Sequence, residues 1–174
     1  MKAVVVGAGS WGSAFAGLLR DRGHDVTLAG RDADQAAAIR ATGRNPRYVP
    51  DADLTGVRAA TIEEAPIEDA ELVVLAVPSR VFGEVVASLP GSAPILSLTK
   101  GLDPVTGERL STLVRGRPVA VLSGPNIADE IVRGLPAAAV IASDDLELTV
   151  RLQLAVNSAI FRVYVNEDIA GVEL

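Results

Sequence analysis

Short apolar runs alternate along this chain with stretches in which apolar residues recur every three or four positions. The first run, KAVVVG over 2–7, reads as a strand. Phe15, Leu18 and Leu19 then share one face of a helix over 12–21, which Gly23 closes. DVTLAG (25–30) is the second strand, and a helix over 33–41 follows with Asp32 as N-cap and Gly43 just past its end. GRNPRYVPDADL (43–54) reads as a loop from its two prolines and polar content. VRAAT (57–61) is a short strand, 62–70 an acidic helical piece, and ELVVLAVPS (71–79) a strand apolar enough to be buried on both faces. The spacing then predicts a helix over 80–89, the strand APILSLTKG (93–101) and a helix around 107–115. After them come the strand PVAVLSG (118–124), a helix over 125–134, the strand PAAAVIAS (136–143), a helix over 144–156 and the strand IFRVYVN (160–166). In NEDIAGVEL, Asn166 or Asp168 is set to cap one more helix.

Such alternation predicts an α/β protein with a doubly wound, mostly parallel sheet and helices on both of its faces. At 174 residues the chain is long enough for one domain with a real core. It is 49% hydrophobic and 22% charged, as globular proteins are. A net charge of −6 argues against a general binder of nucleic acid or of an anionic membrane surface. The chain has no cysteine, which excludes disulfides, thiolate metal sites and thiol catalysis. No apolar run is long enough to cross a bilayer, and a cytoplasmic location is the expectation. Of the 16 Lys and Arg residues only Lys2 and Lys100 are lysines, so Lys100 stands out deep in an arginine-rich chain.

GAGSWG, between the first strand and the first helix, fits G-x-G-x-x-G. Gly7 permits the tight turn, Gly9 lets a diphosphate approach the backbone, and Gly12 lets the helix pack close to the strand. The helix then offers free N–H groups and a positive dipole end to phosphates. This context predicts a Rossmann-like dinucleotide-binding domain. At the end of the second strand, where NAD sites often carry a carboxylate, the chain reads Gly30-Arg31-Asp32. The planar fork of Arg31 suits a 2′-phosphate, so NADP(H) is favoured, while Asp32 keeps NAD(H) open.

Ligands of open α/β sheets bind beyond the carboxyl ends of the strands. Val77 and Pro78, Lys100, and the turn Gly124-Pro125-Asn126 all follow predicted strands. Lys100 offers a compact positive charge there, and Asn126 opens a helix beside a turn that suits an anion or polyol. Ser123 lacks the G-x-S-x-G frame of a nucleophile elbow. The lone histidine, His24, reads as a turn residue without catalytic duty, and Glu63, Glu64, Glu68 and Asp69 as a solvated helix face.

GAGSWGSAFA, GRD, NPRYVP, LAVPS, SLTKGL, LSGPNIADEIVRGLPAAAV and FRVYVNEDIAGVEL, in that order along the whole chain, resemble the soluble NAD(P)-dependent glycerol-3-phosphate dehydrogenases. The resemblance implies that Ser10 and Trp11 lie against the cofactor with Gly7, Gly9 and Gly12, Trp11 as a bulky wall. It implies that Arg31, Tyr48 and Ala128 also contact the cofactor. Lys100 would sit between cofactor and substrate, and Gly124 would line the substrate site. Asn126 stands where the family usually has Ser or Thr, and is carried over as a substrate-site residue.

The implied reaction is NAD(P)H-dependent reduction of dihydroxyacetone phosphate to sn-glycerol 3-phosphate, a supply for glycerophospholipid synthesis. Family members continue into a helical C-terminal domain that carries the proton-transferring lysine. The expectation is therefore a dinucleotide-binding domain over 1–165 and, over 166–174, the start of a helix leading to a C-terminal domain absent here. No catalytic acid–base residue or metal site is expected in this piece, which alone should be inactive or nearly so. A homodimer of the longer enzyme is left open. The alternatives are a non-catalytic redox-sensing module and a related 3-hydroxy-acid dehydrogenase.

Overall fold

A computed structural model describes all residues from Met1 to Leu174. Its strands are β1 (Lys2–Val6), β2 (Asp25–Gly30), β3 (Arg58–Thr61), β4 (Leu72–Leu75), β5 (Ile95–Ser97), β6 (Val119–Ser123), β7 (Ala137–Ala142) and β8 (Phe161–Asn166). The helices are α1 (Ser10–Asp21), α2 (Ala33–Thr42), α3 (Ser79–Ser88), α4 (Ala128–Val132), α5 (Leu146–Val156) and α6 (Ile169–Glu173). The strands form one sheet in the order β3-β2-β1-β4-β5-β6-β7-β8.

β1 to β6 run parallel, β7 runs antiparallel to β6, and β8 is parallel to β7. The reversal follows from a short connection. A five-residue α4 rises only about 7.5 Å, too little to carry the chain back along a strand. β7 therefore starts at the end of the sheet where β6 leaves it.

Both faces of the central strands are buried. Ala3 and Val5 of β1 face a core shared with Phe15, Leu18 and Leu19 of α1, Ile39 of α2, Ile131 of α4 and Leu152 of α5. Val4 and Val6 face the other way, onto Phe82 of α3, Ile95 and Leu110. The edge strand β8 alternates instead, with Phe161 and Val163 inside and Arg162 and Tyr164 outside.

The expected caps are present. Asp32 accepts from the amides of Asp34 and Gln35, and Gly43 adopts a left-handed conformation beyond α2. Of Asn166 and Asp168 it is Asp168 that caps α6, through the Gly171 amide, and α5 has a cap not read from the sequence, Asp145, through the Leu148 amide.

Three predicted helices differ. Residues 62–70 form turns, because Pro66 interrupts any ladder and Ile67 turns into the second core. Around 107–115 only a 3₁₀ turn, Leu110–Leu113, remains. There the Asp103 side chain accepts from the amides of Val105 and Thr106, and Leu102 bridges to Arg109. The helix expected over 125–134 shrinks to α4, since the chain must still turn at Gly124 and Pro125.

Candidate functional site

Strand order reverses between β1 and β4, and the glycine turn leaves the sheet at that point. Gly7 has φ +118°, and a Cβ on it would stand 2.2 Å from the Ala76 carbonyl oxygen. A Cβ on Gly12 would stand 1.8 Å from the Gly7 carbonyl oxygen. The first turn of α1 thus lies directly on the exit of β1, as only two glycines permit. Gly9 is different: nothing lies within 4 Å of where its Cβ would be. It is the N-cap of α1 and brings no side chain to cap the helix. The amides of Ser10, Trp11 and Gly12 precede the first bond of the α1 ladder, from Ser13 to the Gly9 carbonyl at 3.0 Å. An uncapped helix end faces open space at the switch point.

The loop 43–54 is pinned beside this turn by Asn45, which is 0% exposed. Its Nδ2 donates to the Ala8 carbonyl at 3.0 Å and to Ser13 Oγ at 2.8 Å. Its Oδ1 accepts from Gln35 Nε2 at 3.0 Å and from the amides of Arg47 and Tyr48, both at 3.3 Å. Sequence reasoning singled out Tyr48 and passed over Asn45 and Gln35. An Asn before a proline in a loop signals only a turn, and its partners lie on other elements.

At the exit of β2, Arg31 is exposed and makes no hydrogen bond or ion pair. Asp32 is committed. Its Oδ1 accepts from Asp34 and Gln35, and its Oδ2 pairs with Arg47 Nη1 at 3.3 Å. The Arg47 guanidinium lies 5.8 Å from the centre of the Tyr48 ring. Arg31, Asp32, Arg47 and Tyr48 thus border the β2 side of the glycine turn.

The exits of β4, β5 and β6 are tied in a row. Thr99 Oγ1 donates to the Val77 carbonyl at 2.9 Å, and Lys100 Nζ donates to the Gly124 carbonyl at 2.6 Å. The Asn126 amide reaches the same Gly124 oxygen at 2.8 Å. Lys100, Gly124 and Asn126 are therefore brought together. Both polar atoms of the Asn126 carboxamide are buried without a partner in the protein. Ala128 opens α4 and packs against the main core, and α4 packs against α1.

Trp11 is half-buried, with ring centres 5.7 Å from Phe15 and 6.3 Å from Phe161. It joins α1 to β8. The His24 ring bridges the Ala155 carbonyl, 3.0 Å from Nε2, and the terminal amine, 3.5 Å from Nδ1. That is a structural post between α5 and β1. Glu63, Glu64, Glu68 and Asp69 are exposed on the 62–70 turns, where Glu64 and Thr61 bond each other's amides.

A doubly wound sheet with a glycine turn roofing its switch point places the chain among the Rossmann-like α/β proteins. Residues 2–149 match the family described as the N-terminus of NAD-dependent glycerol-3-phosphate dehydrogenase, and the chain belongs to that family. It is 41% identical to glycerol-3-phosphate dehydrogenase [NAD(P)+] of Nocardia farcinica, over 99% of this chain and 56% of that protein. Identity to the Streptomyces coelicolor protein of the same name is 40%, over 100% of this chain and 55% of that one. The crystal structure of glycerol-3-phosphate dehydrogenase from Coxiella burnetii superposes with a TM-score of 0.91 at 32% identity, over 99% of this chain and 55% of that chain. The chain thus spans a little over half the length of these relatives.

Proposed function

We propose that this chain is the dinucleotide-binding part of a glycerol-3-phosphate dehydrogenase and takes NADP(H) in preference to NAD(H). The observation that carries the reading is the uncapped amino end of α1, open over Gly9 at the switch point. Unpaired amides and the positive end of the helix dipole suit a diphosphate. Gly7 and Gly12 shape the cradle, and Gly9, Ser10 and Trp11 line it. Arg31 and Tyr48 serve the adenosine end, and Ala128 the far wall beside α1. The preference for NADP(H) rests on two facts: both Asp32 oxygens already have partners, and Arg31 has none. A committed carboxylate is a poor acceptor for a ribose diol, whereas a free guanidinium suits a 2′-phosphate.

In the longer enzyme the reaction is the reversible reduction of dihydroxyacetone phosphate to sn-glycerol 3-phosphate. When bound, the nicotinamide supplies the hydride for the carbonyl carbon. Lys100, held at the Gly124 carbonyl, offers an ammonium to the substrate and to negative charge that develops on its oxygen. The unpaired carboxamide of Asn126 beside it suits a polar substrate group. The chain covers 56% of the Nocardia relative, so we read 1–165 as the dinucleotide-binding part and place the proton-transferring group in the remainder of the longer enzyme. No helix is long and apolar enough to cross a membrane, and a cytoplasmic setting fits a phosphorylated substrate.

Calorimetric titration with NADPH and with NADH, beside a dihydroxyacetone phosphate reduction assay, tests the reading. Binding of both with NADPH tighter, and negligible turnover by residues 1–174, is the expected result. Absence of binding by either dinucleotide overturns it.

A further inference from the structure

One peptide in the glycine turn is held from behind by side chains that no motif names. The Ala8 carbonyl accepts two hydrogen bonds, from Gln35 Nε2 at 3.0 Å and from Asn45 Nδ2 at 3.0 Å. A carbonyl oxygen only accepts, so both carboxamides must present their NH₂ groups to it. The opposite end of Asn45 is fixed in the same way. The amides of Arg47 and Tyr48 only donate, so Oδ1 must face them. Asn45 is fully used and buried, and its orientation has no alternative.

The consequence lies on the other side of that peptide. All peptides here are trans, and in a trans peptide the C=O and N–H point in opposite directions. With the Ala8 oxygen drawn toward Gln35 and Asn45, the Gly9 N–H is directed away from them. It has no acceptor in the protein, and the space beside Gly9 is open. A glycine-rich turn otherwise flips its peptides readily, because glycine tolerates both signs of φ. We infer that Asn45 and Gln35 are positioning residues: they lock the 8–9 peptide so that the Gly9 N–H is presented to the diphosphate bridge of the dinucleotide. This rests on the dinucleotide reading above. The same Oδ1 holds Arg47 and Tyr48, so the diphosphate turn and the adenosine-side loop move as one unit.

The test uses residues 1–174 with Asn45→Asp and, separately, Gln35→Ala. Asn45→Asp keeps the acceptor toward residues 47 and 48 but loses the donor to Ala8. Two ligands are titrated: NADPH, and adenosine 2′-monophosphate, which has the adenosine end and no diphosphate bridge. Each variant should bind NADPH roughly tenfold to a hundredfold more weakly, as for loss of a hydrogen bond to a charged group, with adenosine 2′-monophosphate changed by less than about threefold. In amide NMR spectra the Gly9 resonance should move on adding NADPH to the parent protein and should be displaced in the free variants. NADPH affinity unchanged in the variants overturns the inference, and so does equal weakening of both ligands, which would mean general loosening. A parent protein that binds neither NADPH nor NADH sinks the dinucleotide reading itself. Gln35 is only half-buried, so Gln35→Ala carries the test if Asn45→Asp does not fold.

Discussion

Single atoms decide the crossing of α1 over β1. With Gly12 Cα so close to the Gly7 carbonyl, one methyl group forces the helix outward. Gly12→Ala should cost about 1–3 kcal/mol of stability, as overpacking does, read from the urea midpoint, and should weaken NADPH binding in calorimetry. Arg31 acts through charge, not packing. Arg31→Gln should weaken NADPH binding roughly tenfold to a hundredfold and leave NADH nearly unchanged, since only the former carries the 2′-phosphate. Equal effects on both would show that Arg31 serves another part of the ligand. The committed state of Asp32 was not legible in the sequence. Its N-cap role follows from its position before α2, but its pairing with Arg47 depends on a loop folded back over 15 residues.

Among the elements, the smallest have the largest topological effect. α4 reverses the sheet because it is short, and the repeated strand–helix pattern alone gave no sign that β7 would run antiparallel. α6 is fastened by one buried carboxylate. Glu173 Oε1 accepts from the Ser111 amide at 2.7 Å, its Oε2 accepts from Ser111 Oγ at 2.5 Å, and Arg109 Nη1 stands 3.6 Å away. Glu173→Ala leaves two buried donors without an acceptor and should lower stability by about 1–3 kcal/mol, with the loss confined to α6 and the 3₁₀ turn in hydrogen exchange. Trp11 likewise belongs to an element contact. The family resemblance implies a wall for the cofactor at Trp11, and its ring contacts with Phe15 and Phe161 make it a clamp between α1 and β8.

For the molecule as a whole, two exposed carboxylates in turns add a small pH-dependent contribution to stability. Hydrogen bonds from the Thr55 backbone and side chain hold Asp53 below its ordinary 3.8, with Arg20 and Arg44 adding to the effect. The Thr106 amide does the same for Asp103, helped by the Val105 amide and the Thr106 hydroxyl. A carboxylate with a depressed folded-state pKa stabilises above its unfolded value, and that stability is lost as pH falls through the folded one. Melting temperature should therefore fall below pH 3.8, and Asp53→Asn with Asp103→Asn should flatten that part of the profile in a pH series of thermal melts. Both groups lie in solvent, so the effect is small beside that of the core.

The sequence by itself determined what depends on neighbours along the chain: the strand and helix periods, the caps at Asp32 and Gly43, and the glycine spacing. It also supplied the ordered motifs that mark the family. These are set by φ/ψ preference, capping chemistry and apolar period, all of which act within a few residues. Tertiary structure alone decided the antiparallel β7 and the meeting of Lys100 with Gly124. It also decided the two carboxamides behind Ala8. Those depend on which atoms meet across distant segments, where packing and hydrogen-bond satisfaction outweigh local preference.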